Sequence, residues 1–202
     1  MATLSRMSLV RILMIVTASA LITGLVLFLQ LAGNRPDGAG IADIGGPFRL
    51  ASSRGGDVDS KDLHGKPYGI FFGFTHCPEV CPTTLYEMSH VLGVLGSDAK
   101  DFRLFFVTVD PERDTAPILK DYLSNFDPRI EALVPTPEQL PRIARDFRIF
   151  YQKVPDSDGG YTMDHTATLF LMGRDGKLVS TIAYGEEEQS RITKIRKLMA
   201  GS

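Results

Sequence analysis

Cysteine is scarce in this chain: 202 residues contain two. Two are too few to staple a small scaffold or to supply a four-cysteine zinc site, so they can act only as one pair. A strong charge of one sign is also missing. The 22 basic and 24 acidic side chains leave a formal net charge of -2, which argues against a polyanion-binding surface and sets nucleic acid aside. No internal repeat and no low-complexity segment is present. What remains, 44% hydrophobic and 23% charged residues, is the composition of a globular protein, with length for one ordinary domain plus something extra.

Charge disappears altogether from Ile12 to Ala32. About 21 residues at roughly 1.5 Å each cover the roughly 30 Å hydrocarbon core of a bilayer, so a transmembrane helix is expected at 12–32. Arg6 and Arg11 precede it without an acidic residue, which puts residues 1–11 in the cytoplasm and the remainder across the membrane. A cleaved signal peptide is the competing reading, with Ala18-Ser19-Ala20 as its cleavage site. The apolar stretch ahead of that site, Ile12 to Val16, is short for a signal, and cleavage would leave Leu21 to Leu29 as a greasy terminus. Leu31-Ala32-Gly33 has the look of a lipoprotein signal, but Asn34 follows where a cysteine would be needed. The little sequence ahead of the anchor favours a bacterial inner membrane, with the domain in the periplasm, over a mitochondrial location. Gly33 to Pro47 is rich in Gly and reads as a flexible tether, leaving 48–202 as the folded domain.

Within that domain a short strand is expected near Pro47 to Ala51, and the apolar run Tyr68 to Phe74 suits a buried central strand. Leu85, Met88, Leu92 and Leu95 recur at helical spacing, so a helix is expected over 82–95, with Pro82 in its first position. Phe102 to Val109 reads as a second buried strand. A helix over 114–126 follows, with Asp114 as its N-cap. Thr136-Pro137-Glu138-Gln139 has capping-box order and opens a helix to about Phe147. Thr166 to Met172 and Leu178 to Ala183 read as a hairpin, and 186–199 as a last helix, acidic at its start and basic at its end. Strands alternating with helices and closing on a hairpin predict an α/β sandwich with a mixed central sheet, the thioredoxin-like pattern.

The most informative stretch is Gly73-Phe74-Thr75-His76-Cys77-Pro78-Glu79-Val80-Cys81-Pro82. It places two thiols four residues apart between a buried strand and a helix. In helical geometry their Cα atoms would lie roughly 6 Å apart, which suits a disulfide bond and two thiolates on one metal alike. The helix N-terminus favours the thiolate form that either chemistry needs. A purely structural disulfide would close a loop of only about five residues and would constrain the unfolded chain little.

That loop, together with Val109-Asp110-Pro111-Glu112-Arg113-Asp114-Thr115 and Asp164-His165-Thr166 in the same order, resembles the Sco/SenC proteins over nearly the whole chain. The resemblance implies a membrane-tethered, thioredoxin-like copper metallochaperone that helps assemble the dinuclear copper centre of cytochrome c oxidase. It implies a copper ion held by Cys77, Cys81 and His165, and the copper-accepting oxidase subunit as partner. The chemistry agrees, since soft thiolates suit copper(I) and an added imidazole can also hold copper(II). Zinc would call for a fourth ligand that the sequence does not clearly supply.

Asp110 and Asp164 are carboxylates placed to orient His165, while turn formation is the plainer role for Asp110 and helix capping for Asp114. His76 adjoins a ligand but is not counted as one. His64 and His90 suit ordinary solvent or capping roles, and Met88 and Met163 suit packing. The alternative function is a thiol-disulfide oxidoreductase that uses Cys77 and Cys81 as its redox pair to reduce the cysteines of the copper-accepting subunit. Such reductases usually carry a CxxC loop and a cis-proline before the facing strand, whereas the spacing here is one longer and Thr166 follows His165. A thiol peroxidase fits least, because Ile70 and Phe74 stand where its Pro and Thr would be.

Overall fold

The computed structural model describes residues 6–33, 44–157 and 159–201, with side chains over 14–27 in the first of these. The chain divides into two compact units, Met1–Ala39 and Gly40–Ser202. The first holds one helix, α1 (Arg6–Gly33), where the uncharged segment was expected to be helical. Among the described residues no helix is long and apolar enough to cross a membrane. Residues 1–5 of the expected cytoplasmic terminus and 34–43 of the expected tether lie outside the described residues.

The second unit runs β1 (Arg49–Ser52), β2 (Asp57–Asp59), β3 (Tyr68–Gly73), α2 (Val80–Leu95), β4 (Arg103–Thr108), α3 (Ala116–Leu123), β5 (Ile130–Val134), α4 (Leu140–Asp146), β6 (Tyr151–Pro155), β7 (Tyr161–His165), β8 (Thr168–Met172), β9 (Leu178–Ala183) and α5 (Glu188–Ala200). Seven strands form one sheet in the order β2-β1-β5-β4-β3-β8-β9, and β6 and β7 form a separate hairpin. β3, β4 and β5 are parallel, while β8 runs antiparallel to β3. The expected mixed α/β sandwich is therefore present.

Central strands buried on both faces explain the unbroken apolar runs. Every residue of β3 is buried. Phe71 and Phe106 pack toward Tyr122 of α3, with Phe106 and Tyr122 centroids 6.1 Å apart. Phe72 and Phe170 point the other way and meet Phe147 at the end of α4, at 5.3 and 5.7 Å. Alternation along one strand thus supplies two aromatic layers, one beneath each set of helices.

Several elements differ from the sequence reading, β2 among them. β5 was not expected because Glu131 interrupts a five-residue run. That carboxylate is buried, accepts the Ser52 hydroxyl at 2.5 Å and pairs with Arg103. The β6–β7 hairpin was not expected either, because its residues are half exposed and show no apolar alternation. Asp114 does not cap α3; Thr115 holds that position and Asp114 is fully buried. The capping box does form: Thr136 N–H donates to Gln139 Oε1 at 2.9 Å and Gln139 N–H to Thr136 Oγ1 at 3.3 Å, one turn ahead of regular α4.

Burial pushes the Glu131 carboxyl up, but Ser52, Arg103 and Arg54 outweigh it and hold the group below its ordinary 4.5. A depressed carboxyl stabilises the fold above its unfolded value and loses that contribution as pH falls through the folded one. Thermal melts of wild type and Glu131→Gln across pH should therefore show the variant less stable at neutral pH, with the gap closing below about pH 4.5.

Candidate metal centre

β3 ends at Gly73 in the middle of the sheet, and α2 begins at Val80, two residues ahead of the expected start. Cys81 therefore lies inside the first turn of the helix, where backbone N–H groups have no partner within the helix. Pro82 is one place further on and has no N–H to satisfy. The Cys81 N–H donates to Cys77 Sγ at 3.4 Å, so the neighbouring sulfur takes up one of these donors. Both cysteines are free; Cys77 is half-buried and Cys81 buried. A Cβ built on Gly73 would come within 2.6 Å of Cys81 Sγ and of Phe106 Cε2. Glycine at the strand end is what lets the Cys81 sulfur lie against the backbone.

His165 is the last residue of β7, opposite Tyr151 of β6. Its Nε2 is 3.4 Å from Cys81 Sγ, and its Nδ1 is 3.1 Å from the Thr166 carbonyl oxygen. A carbonyl can only accept, so Nδ1 carries the proton and the Nε2 lone pair is turned toward the sulfurs. Phe74 and Phe71 meet the ring edge-on, with centroids 5.7 and 6.3 Å away. The two sulfurs and a ring nitrogen all lie within 4.8 Å of one another, and among the described residues no fourth His, Cys, Asp or Glu joins them. Two soft sulfurs with one imidazole make a set for a soft or borderline metal ion of low coordination number.

The pair shares one proton. The Cys81 thiol hydrogen-bonds to the Cys77 sulfur, and with help from the backbone N–H groups of Cys81 and Glu79 this lowers Cys77 to about 4 against the opposing effect of burial. The same hydrogen bond, burial and the charge on Cys77 push Cys81 far up. Resting chemistry is thus a thiolate at Cys77 and a thiol at Cys81. The Tyr122 hydroxyl is buried without a partner among the described residues, and burial together with the nearby sulfurs pushes its ionisation up.

Neither carboxylate proposed to orient His165 does so by direct contact. Asp110 accepts the Tyr161 hydroxyl at 3.0 Å and pairs with Arg113, while its carbonyl closes the turn through Asp114 N–H at 2.9 Å. Arg113 donates to the Tyr161 carbonyl at 2.8 Å and lies 3.7 Å over its ring, so Asp110 secures the strand that ends in His165 rather than the imidazole. Asp164 is exposed. Asp114, read as a cap, is instead the fastening of the cysteine loop. It accepts Thr75 N–H at 3.0 Å, Thr75 Oγ1–H at 2.5 Å and Thr108 Oγ1–H at 2.6 Å. Thr75 and the Thr166 carbonyl were not singled out from the sequence. The one signal available was Thr115, a second residue able to cap, which frees Asp114 to turn inward. His76 is exposed beside Thr75, and Met88 and Met163 are buried in the core, in the ordinary roles expected of them.

The family model described as SCO1/SenC matches residues 36–200. The chain is 38% identical over 139 residues to "Protein SCO1 homolog, mitochondrial" of Homo sapiens, covering 67% of this chain and 46% of that one. It is 37% identical over 142 residues to "Protein SCO1 homolog 1, mitochondrial" of Arabidopsis thaliana, covering 70% and 42%. The chain thus spans less than half the length of these two relatives. The structure of Bradyrhizobium japonicum ScoI with copper bound is 46% identical and superposes with a TM-score of 0.72, covering 77% of this chain and 99% of that one.

Two outcomes follow from the geometry. Alkylation of the reduced protein, followed by mass spectrometry, should modify Cys77 at a rate nearly flat across neutral pH and falling only toward about pH 4; Cys81→Ala, which removes the donor, should move that profile upward. Asp114→Ala should cost about 2–4 kcal/mol in denaturant unfolding by stranding the Thr75 and Thr108 donors.

Proposed function

The chain belongs to the SCO1/SenC family, and on that premise we propose that its domain is a copper metallochaperone holding one copper ion through Cys77, Cys81 and His165. The observation that carries the reading is the convergence of two sulfurs and an imidazole nitrogen within 4.8 Å. Copper is cargo in this reading, and no catalytic turnover is part of it. Cys77 meets the ion already as a thiolate, and loading transfers the remaining thiol proton of Cys81 to solvent. His165 adds a neutral nitrogen whose direction the Thr166 carbonyl sets. The receiver is the copper-accepting subunit of cytochrome c oxidase, which takes the ion by ligand exchange for its dinuclear copper centre.

The arrangement of the whole chain belongs to the same proposal. Residues 1–11 are cytoplasmic, 12–32 anchor the protein in a bacterial inner membrane, 33–47 form a tether, and 48–202 work in the periplasm. Two arginines ahead of the uncharged segment support this orientation.

A second reading has its own support: a half-buried thiolate next to a buried thiol four residues on is also the arrangement of a dithiol reductant. In it, Cys77 attacks one sulfur of a partner disulfide and releases the other as a thiolate. Cys81, losing its proton to the medium, then displaces the second partner thiolate. The domain ends as the Cys77–Cys81 disulfide, two electrons poorer, and the partner is left ready for metal.

Anaerobic titration of the reduced chain with copper(I), with bound metal counted after desalting, separates the two. One ion should be retained, and Cys77→Ala, Cys81→Ala and His165→Ala should each weaken retention by at least about tenfold. A His165→Ala variant that holds copper as well as wild type would sink the three-ligand site. No retained copper in wild type with free thiols would leave the reductase, which in turn fails if the reduced chain opens no disulfide in the partner.

A further inference from the structure

The end of the sheet opposite the cysteines is strongly basic. β3, β4 and β5 begin there at Tyr68, Arg103 and Ile130, and β8 finishes there with Met172 opposite Tyr68. A depression across these strand ends is lined by Arg54, Lys66, Lys100, Arg103, Arg129 and Arg174, with Asp101 as its acidic residue. Part of this charge is already matched. Glu131 pairs with Arg103 and lies 3.9 Å from Arg54, and Asp127 pairs with Arg129. Among the described residues Arg174 donates only to the carbonyls of Gly65 and Met199, and Lys66 and Lys100 are exposed without a carboxylate partner. Six cations against three carboxylates leave a positive surplus on one face of a domain in a chain whose net charge is negative.

The polypeptide enters the domain at this same end. Ile44, Gly45, Gly46 and Pro47 line an adjoining depression with Lys61, Asp175 and Lys177. Gly45 N–H donates to the Asp146 carbonyl at 2.8 Å, and a Cβ on Gly45, at φ 104°, would meet Met172 Cε at 2.7 Å. The entry point is therefore built into the base of the sheet.

We infer that this basic end is a docking surface for the head groups of anionic phospholipids in the membrane that carries the anchor. The inference rests on the reading of 12–32 as a transmembrane helix. Tethering alone would leave the domain free to present any face to the bilayer. A surplus of cations at the tethered end removes that freedom, since each Lys or Arg near an anionic surface favours contact by about fivefold. Arginine forks and lysine point charges both suit phosphodiester oxygens. Six residues of β3 separate the two ends of the sheet by about 17 Å, so a docked domain presents Cys77, Cys81 and His165 away from the lipid.

The test is hydrogen exchange on the full chain in nanodiscs of phosphatidylcholine alone or mixed with phosphatidylglycerol. Amides in 64–68, 98–104 and 172–177 should exchange at least about fivefold more slowly in the anionic discs, and added salt or the double variant Lys66→Glu, Lys100→Glu should abolish the difference. Copper stoichiometry of the double variant should stay at the wild-type value, showing that it folds. Equal exchange in both lipids, or protection that survives the charge reversal, would overturn the inference while leaving the anchor intact. A chain that fails to co-elute with the discs would remove the anchor reading and the inference together. Protection of the same amides by inorganic phosphate without lipid would overturn the lipid assignment in favour of a small-anion site.

Discussion

The site depends on how β3 and β8 are paired. Ile70 lies opposite Phe170 and Phe71 opposite Leu169, and this register decides where the chain preceding β8 emerges, and so where His165 can stand. A slip by one residue would turn every side chain of β8 to the other face of the sheet. β3 is held on both flanks, by β4 as well as β8, with aromatic layers above and below it. Two sulfurs of one loop and a nitrogen 84 positions beyond Cys81 thus meet through strand pairing and aromatic packing, with Cys81 in the core and Phe71 and Phe74 against the imidazole.

Around this frame, polar contacts adjust what the packing sets roughly. Asp114 joins the cysteine loop to β4, Asp110 and Arg113 join the end of β4 to β7, and the Thr166 carbonyl turns the imidazole. Each is a buried or half-buried group with a partner supplied, although Arg113 Nη2 is buried without one among the described residues. The same loop that carries the cysteines is therefore held by Asp114 through Thr75, which leaves its two sulfurs available for chemistry.

Much of the fold was legible because its central strands are apolar throughout. Tyr68 to Phe74 and Phe102 to Val109 announce β3 and β4, and Leu85, Met88 and Leu92 announce α2. Elements that escaped notice are those stabilised by partners rather than by apolar pattern: β5 with Glu131 at its centre, and the half-exposed β6–β7 hairpin. At the site, spacing alone identified the cysteine pair, whereas His165 stood out through family resemblance, having no local pattern to mark it. Asp114 was misread because a carboxylate before a helix looks the same whether it caps or points inward. A backbone carbonyl such as that of Thr166 leaves no trace in sequence at all.

The unequal burial of the two cysteines gives the site a direction in time. Cys81 is wholly covered beneath Gly73 and Phe106, while Cys77 and His165 are each partly open. An electrophile, a disulfide or a competing ligand therefore meets Cys77 before it can reach Cys81. Arrival and departure share one doorway, and the innermost sulfur is the last to be engaged from outside.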